Sequence, residues 1–299
     1  MPINTGHWGK ALQVGVKKFY GDAYAQLPKL WSQMVETDSS SKSFEEYVGT
    51  SGYGVAQVIT EGGAVQFDTS QQGFINRANA VKYGLGFIIT KDMYDDNQYN
   101  LPMIKGAKAL ARSVVSTQET VVANMFNRAF SNSYTFGDAK EMCATDHPNV
   151  AGGTYANELA TAADFSETAL EQAMIDLAKM TDDRGNRINI SAHTILLPPD
   201  IQFEVRRLLE SQGRLGTANN DPNLHNGALK MVVNPYLTDT DAWFLRTSMS
   251  EDGPVCVQRQ AATFSMDNDF DTDNAKFKVV ARFATTCPDP KGIFGSPGA

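Results

Sequence analysis

Acidic side chains alternate along one short segment of the chain, at Asp267, Asp269, Asp271 and Asp273. Carboxylates at every second position are typical of a calcium-binding EF-hand loop, which also requires glycine at its sixth position and glutamate at its twelfth. A loop that begins at Asp267 has Thr272 and Lys278 at those two positions. We therefore interpret the segment as a charged loop or edge strand whose acids face water and discourage unwanted strand pairing.

Cys143 and His147 lie four residues apart and could contribute a thiolate and an imidazole to a metal site. Such a site would need two further ligands from distant parts of the chain, for example His193 or His225, because no second spaced pair occurs. The simpler interpretation is that His147, which precedes Pro148, is a turn residue. The sequence thus indicates no metal ion and no cofactor.

Motifs of the common catalytic and nucleotide-binding sites are missing, since the sequence has no GxSxG elbow, Walker A loop, HExxH or GxGxxG. An active site built from scattered residues stays open, but nothing in the sequence selects its members. The three cysteines are widely spaced and include no CxxC pair, which argues against a disulfide framework and a zinc knuckle. We expect synthesis in a reducing cytosol.

The formal net charge of −8 argues against a sequence-independent grip on nucleic acid, which needs many Lys and Arg side chains to displace counterions from phosphates. The acidity is uneven, because residues 1–35 carry four lysines against a single aspartate. This basic arm could lie on an acidic body, touch an anionic polymer, or be an ordinary solvated segment. No run of eighteen apolar residues and no signal-peptide pattern occurs, so we expect no membrane partner.

One long helix must organise the first half of the chain. Between Asn100 and Phe130 the apolar residues return every three or four positions, which predicts a single amphipathic helix of about thirty residues. An average globular helix has only about twelve residues. A helix this long is more typical of a spine that spans a flattened domain than of an element in a compact core.

Two segments before this helix carry apolar side chains that a monomer is not expected to bury completely. Residues 1–44 predict an aromatic-rich, partly helical arm, and its aromatic side chains imply a covering surface. Between Tyr53 and Ile89 apolar residues alternate on both sides of Glu61-Gly-Gly63, which predicts a long hairpin. An isolated two-stranded ribbon is marginal in water, so a projecting hairpin implies packing on a partner.

The second half of the chain mixes helices and strands. Ser166 is a candidate N-cap for a helix that extends to Met180, and Pro198-Pro199-Asp200 introduces a further helix over residues 201–211. Apolar runs predict short strands at 194–197, 231–233, 242–245 and 256–257, and an alternating strand at 277–283. The predicted fold class is therefore α+β.

The order of these features is more specific than any one of them. Local motifs follow one another over roughly residues 44–283: Tyr83-Gly-Leu-Gly-Phe-Ile-Ile-Thr-Lys91, Tyr94-Asp-Asp96, Ala109-Leu-Ala-Arg-Ser113, Glu119, Asn127-Arg-Ala-Phe130, Cys143-Ala-Thr-Asp-His-Pro148, Gly152-Gly-Thr154, Leu196-Leu-Pro-Pro199, Val232-Val-Asn-Pro-Tyr-Leu237 and Trp243. In this order they resemble the major capsid protein fold of tailed phages, the Hong Kong 97 type, and within it the Mu-like major head subunit family.

The resemblance implies an N-arm at residues 1–44, an extended E-loop hairpin with its base at 45–92, and a peripheral domain with the spine helix at 93–164. An axial domain would occupy 165–260, and 261–299 would return to the peripheral domain and form the C-terminal tail. Some relatives carry a fused scaffolding segment, whereas this arm begins almost at once, so scaffolding is expected to be a separate protein. Some crosslink through an E-loop lysine, but residues 60–69 contain none, so self-catalysed crosslinking is not expected.

By this resemblance the chain is expected to be a structural virion protein and not an enzyme. It would assemble with itself, in the host cytoplasm, into hexamers and pentamers of an icosahedral head around double-stranded DNA, without sequence-specific binding. Further partners would be a portal, a separate scaffolding protein and a decoration protein. The expected interface residues are Trp8, Phe19, Trp31, Val65, Phe67, Leu215 and Leu224, the last two within the loop 213–226. Deleting residues 1–44 is expected to leave a folded but assembly-defective protein.

Two other functions stay open on the sequence alone. A cytosolic metal-dependent hydrolase would bind its metal ion at the alternating aspartates or at Cys143 and His147. A ring-forming accessory virion protein would give a small discrete oligomer and no shells.

Overall fold

The computed structural model describes residues 9–95, 100–214, 221–249, 253–269, 272 and 274–299. Its helices are α1 (Gly9–Gln26), α2 (Trp31–Met34), α3 (Lys91–Asp95), α4 (Asn100–Asn127), α5 (Glu167–Lys179) and α6 (Gln202–Glu210). Its strands are β1 (Glu36–Ser39), β2 (Phe44–Thr50), β3 (Gln72–Asn79), β4 (Val81–Ile89), β5 (His147–Pro148), β6 (Thr154–Tyr155), β7 (Ala192–Leu197), β8 (Lys230–Val233), β9 (Trp243–Thr247), β10 (Val255–Asn268), β11 (Ala275–Thr286) and β12 (Ile293–Ser296). None of the described helices is both long and apolar enough to cross a lipid bilayer.

A four-stranded sheet with the order β1-β10-β11-β4 forms the first layer. β11 runs antiparallel to both of its neighbours, β10 and β4. Side chains along β11 alternate between a buried set, Phe277, Val279 and Phe283, and an exposed pair, Lys276 and Lys278. A sheet with this alternation presents an apolar face to a covering layer and a polar face to water.

Helices α1 and α4 cover the apolar face of this sheet. The inward residues of α4 recur every three or four positions and include Ala107, Leu110 and Val114, which pack with the apolar residues of β11. Tyr20 of α1 stacks on Phe264 of β10, with ring centroids 5.1 Å apart. The arm helix therefore lies on the same face of the sheet as the spine helix α4.

A second four-stranded sheet has the order β12-β9-β7-β8 and packs against α5 and α6. Its core contains Leu170 and Leu177 of α5, Val205 of α6 and Trp243 of β9, all fully buried. The Trp243 indole N–H donates to the Ala163 carbonyl oxygen at 3.3 Å, so the polar atom of this large side chain is satisfied inside the core.

The predicted spine helix and the helices that follow it are confirmed, with small shifts at their ends. α4 ends at Asn127, three residues before the predicted end. α5 begins after Ser166, whose hydroxyl accepts the Ala169 N–H at 3.2 Å, so the predicted N-cap is present. The predicted strands of the second half all form, and the α+β class holds.

The predicted hairpin is wrong in its middle and at its end. β2 pairs with β3 only at the base, while residues 51–71 form no strand, although a turn is present at Thr60, where the Gly63 N–H donates to the Thr60 carbonyl at 2.8 Å. The alternation at 55–67 places no face against a core, so nothing holds two strands in register. The return leg also divides, because β4 leaves the hairpin and pairs with β11.

The C-terminal segment differs from the expected return to the first unit. β10 begins at Val255, before the predicted boundary at 260, and pairs with β1 and β11. β12 instead pairs with β9 in the second sheet, with Phe294 opposite Leu245. Phe294 is fully buried in the core of that second sheet. Burial of this side chain therefore stabilises the pairing of β12 with the second sheet.

Candidate intersubunit surfaces

The long loop, residues 51–71, carries the most exposed apolar side chains of the described chain. Val58 and Phe67 are each 97% exposed, and Tyr53, Val55 and Val65 are also largely in solvent. Val65 and Phe67 are two of the residues that the sequence predicts as interface residues. A run of uncovered apolar side chains on one loop marks a site at which another surface packs.

The two ends of the long loop are held in place by a turn of the second unit. The Arg184 guanidinium pairs with Asp68 at 3.4 Å and donates to the Thr69 carbonyl oxygen. The Asn186 amide donates to the Tyr53 carbonyl oxygen at 3.2 Å. The exposed loop is therefore presented from an anchored base.

Of the two predicted arm residues that the structure describes, Phe19 is exposed, at 38%, and Trp31 is not. Trp31 is 4% exposed and packs in the core cluster of its own chain with Phe126 and Phe244, so the prediction that Trp31 contacts a neighbouring subunit is corrected. Trp8 lies outside the described residues. An amphipathic arm that folds back on its own spine has the same apolar pattern as one that reaches a neighbour, so the sequence does not distinguish the two.

The expected outcome of deleting residues 1–44 is also corrected. That deletion would remove Trp31, Met34 and Val35 from the core and Tyr20 from its stack on the first sheet. It would also remove β1, which pairs with β10. A protein without these residues would lose stability as well as the arm.

A buried carboxylate on the spine helix fixes the point where the arm joins the body. Glu119 is 2% exposed, and its carboxylate accepts the Leu30 N–H at 2.6 Å and an amide N–H of Asn234 at 3.3 Å. Burial raises the pKa of Glu119, and the hydrogen bonds from the Trp31 and Leu30 backbone and from Asn234 oppose that rise. Glu119 thus joins the arm, the spine and the second unit.

A second exposed apolar surface lies on the second unit. Leu224 is 83% exposed, and Phe203 on α6 is also exposed. The neighbouring Asn223 amide donates to the Leu208 and Ser211 carbonyl oxygens, at 2.5 and 2.8 Å, which holds the loop against the end of α6. Leu215, the other predicted interface residue of this loop, lies outside the described residues.

The residues that could have held zinc are structural. Cys143 is fully buried, and burial raises the pKa of its thiol well above the usual range, so the thiol stays protonated. His147 is also fully buried, and its Nδ1 lies 2.6 Å from Asp138 Oδ2 and its Nε2 3.0 Å from Asn157 Oδ1. The prediction that His147 is a simple turn residue is wrong, because its ring occupies a closed hydrogen-bonded site.

Asn157, which no sequence pattern selects, is the centre of that site. Its buried amide donates to the carbonyl oxygens of Met142, Pro290 and Ile293, at 2.8, 2.9 and 3.3 Å. Its Oδ1 also accepts the Ala144 N–H at 2.8 Å. One side chain thereby joins two loop segments to the start of the C-terminal strand.

One cluster of described residues, Glu167, Glu171 and His225, brings together ligand types that could hold a metal ion, with their ligand atoms within 4.8 Å of one another. Glu167 is, however, already paired with the Arg214 guanidinium at 3.1 Å. The cluster therefore ties the start of α5 to a loop. Of the alternating aspartates, Asp269 pairs with Lys276 at 2.8 Å, while 271 and 273 lie outside the described residues.

Comparison with known proteins adds a family and a fold. A family model described as phage capsid protein matches residues 76–295, about three quarters of the chain. No curated protein matches. Many solved structures are similar, among them three that cover nearly the whole chain. The procapsid of bacteriophage JBD30 has 16% identity and a TM-score of 0.54, with 98% of this chain and 76% of that chain covered.

The capsid of the native GTA particle has 12% identity and a TM-score of 0.56, with 91% of each chain covered. The virus-like particle from Pyrococcus furiosus has 10% identity and a TM-score of 0.52, with 94% of this chain and 97% of that chain covered. At such low identities the likeness establishes the fold, and the two-sheet body with its long spine helix is that fold.

Proposed function

The chain belongs to the phage capsid protein family, and from that premise we propose that it is the major capsid protein of an icosahedral head, assembling with itself into hexamers and pentamers around double-stranded DNA. Its role is structural and not catalytic. The observation that carries the proposal is the long loop with Val58 and Phe67 uncovered at 97% exposure, because a subunit of a shell meets the same neighbouring surface at every copy.

We assign the segments as follows. Residues 1–44 are the N-arm, of which the part from Tyr20 onward is packed on its own body, and 45–92 are the E-loop and its base. Residues 93–164 with the first sheet form the peripheral domain, and 165–254 with the second sheet form the axial domain. Residues 255–299 return to the first sheet through β10 and β11 and end in the second through β12.

The mechanism of assembly is geometric. One apolar core joins the two sheets through Phe126 of α4, Phe244 of β9 and Phe283 of β11, so the peripheral and axial domains stay rigid. The long loop has no ladder of its own between residues 51 and 71, so it can adapt to neighbours at hexamers and pentamers. Phe19, Phe67 and Leu224 offer apolar contacts on three separate surfaces, as intersubunit contacts around a capsomer require.

The further partners we propose are a portal, a separate scaffolding protein and a decoration protein. The protein would assemble in the host cytoplasm and remain in the virion. The hydrolase alternative loses one of its two candidate metal sites, because Cys143 is a buried thiol and His147 is held by Asp138 and Asn157.

Negative-stain microscopy with light scattering of the purified full-length protein tests the proposal. We expect closed shells or sheets of capsomers, alone or with the products of neighbouring genes. A protein that stays a monodisperse monomer under all of these conditions would overturn the assignment, and a small discrete ring would favour the accessory-protein alternative.

A variant in the long loop tests the contact that carries the proposal. Because Phe67 touches almost nothing in its own chain, Phe67→Ser should leave the midpoint of urea unfolding of the subunit unchanged and reduce the yield of shells at least several-fold. The neighbouring exposed Gln66 provides a matched control, since Gln66→Ala removes polar atoms from the same loop and should assemble normally. If Phe67→Ser forms normal shells, the long loop does not contribute this contact to the interface and the proposal for the loop is refuted.

A further inference from the structure

The spine helix α4 carries a one-sided row of positive charge. Its only cationic side chains are Lys105, Lys108 and Arg112, all exposed and spaced by three and four residues, so they lie along one face of the helix. The row spans about 10 Å along the helix axis. The only acid on α4 is Glu119, which lies about two turns beyond Arg112 on the same side of the helix and is buried there against Leu30 and Asn234. We call the three cationic residues the basic stripe.

The basic stripe has no counter-charge within the part of the chain that the structure describes. None of its three members forms an ion pair there, whereas five of the ten other described arginines do. Helix α1, in the same layer, adds the exposed Lys17 and Lys18 and one exposed acid, Asp22, so the layer keeps a net positive charge. This cationic helix layer contrasts with a chain whose net charge is −8.

The other face of the first sheet is different. It carries Lys82, Lys276 and Lys278, and here an acid does lie close, since Asp269 pairs with Lys276 at 2.8 Å and Asp267 is opposite Lys276 on β10. Positive charge that is balanced locally attracts a polyanion weakly. The two faces of the peripheral unit therefore differ in their electrostatic character, and the helix layer is the more positive.

The chemistry of the stripe fits phosphates better than a protein. A protein partner docks on large apolar or aromatic anchors, and no large apolar side chain of α4 is exposed between residues 102 and 127. Ala109, an exposed neighbour of these cations, has a small side chain that lets a DNA backbone come close to the helix. It has no hydrogen-bonding group that could recognise a base edge. Cations on such a surface contact a phosphate backbone without regard to sequence.

We propose that the basic stripe, with Lys17 and Lys18 beside it, contacts the phosphate backbone of the packaged double-stranded DNA, and that the α1 and α4 layer is the inner face of the shell. This inference rests on the proposed function. Three contacts per subunit bind weakly, so DNA can slide over the wall while the shell as a whole supplies ordered counter-charge. The acidity of the rest of the chain limits adhesion elsewhere.

Binding of a short double-stranded DNA of mixed sequence to unassembled full-length subunits, followed by fluorescence anisotropy at several salt concentrations, tests the proposal. The stripe variant is K105Q/K108Q/R112Q, and the matched control K82Q/K276Q/K278Q removes the same charge from the other face. We expect the stripe variant to flatten the slope of log K against log salt by up to about 2.7, at about 0.9 per lost phosphate contact. The control should keep the slope of the unsubstituted protein.

Equal losses in the two variants would overturn the proposal, because they would show an effect of net charge alone. An unchanged slope in the stripe variant would overturn it as well. If the stripe variant binds DNA normally but no longer forms shells, the stripe is a protein contact and the proposal fails. Shell formation by the unsubstituted protein is scored separately by microscopy, so a failure of the proposed function is distinguished from a failure of the DNA contact.

Discussion

Replacement of Asn157 should be among the most damaging single substitutions in this protein, although the residue is neither apolar nor on any motif. The change Asn157→Ala removes an amide that is fully buried and joins the carbonyl oxygens of Met142, Pro290 and Ile293. It also removes the acceptor for the Ala144 N–H and for His147 Nε2.

The magnitude follows from the groups left behind. A hydrogen bond contributes about 1 kcal/mol net, and a buried polar group that loses its partner costs about 1–3 kcal/mol. The alanine side chain leaves buried backbone groups in two loops and at the start of β12 without these partners. We expect a loss of roughly 4 kcal/mol in the free energy of unfolding, a large fraction of the roughly 5–15 kcal/mol of a typical domain.

Urea unfolding of unassembled subunits measures this loss, because assembly would add its own stabilisation by mass action. Asn149 on the nearby loop is the matched control, since its Oδ1 has no hydrogen-bond partner among the described residues. Asn149→Ala removes a buried oxygen that has no partner, so it should leave the free energy of unfolding unchanged or raise it by up to about 1 kcal/mol. If Asn157→Ala lowers the free energy of unfolding by less than about 1 kcal/mol with an unchanged m-value, the hydrogen bonds of Asn157 do not hold these segments together as the geometry indicates.

Two further predictions concern the arm. Trp31→Ala should cost about 3–5 kcal/mol of stability because it empties a core position. Phe19→Ala should cost clearly less, because Phe19 is 38% exposed, and it should lower the yield of shells. Urea unfolding and microscopy of both variants check this, and equal stability losses would contradict it. Burial raises the pKa of Glu119, so the folded state binds the Glu119 proton more tightly than the unfolded state does. The resulting stabilisation is fully present below the ordinary glutamate pKa. It is lost as the pH rises through the raised pKa of the folded state. Glu119→Gln should remove this loss of stability with rising pH. The urea midpoints of both proteins, measured across that pH window, test the prediction. It is refuted if the two plots of midpoint against pH are parallel.

The elements that depend on local pattern could be predicted well. A helix with an apolar stripe, such as α4, and an N-cap such as Ser166 are specified by neighbours in the sequence, and these are confirmed. The order of local motifs was sufficient to identify the capsid family, which the family match over residues 76–295 confirms. Among the interface residues, the exposure of Phe67 and Leu224 is consistent with the prediction, which assembly experiments have still to test.

Other features were decided only by contacts between distant parts of the chain. Trp31 and Phe67 are both aromatic residues in segments outside the main body, but the first packs on its own spine helix and the second on nothing, and their sequence environments do not separate these outcomes. The Asn157 site joins segments more than a hundred residues apart, and β12 joins the second sheet through pairing with β9.

The basic stripe shows the same division between sequence and tertiary structure. The sequence by itself places three cations on one side of a helix and sets their spacing. Only the tertiary structure decides that the stripe faces solvent while Glu119, two turns further along the same side, is covered by Leu30 of the arm and by Asn234. Periodicity is a property of neighbours along the chain, whereas burial depends on which surface the folded chain brings against them, and that surface comes from distant residues.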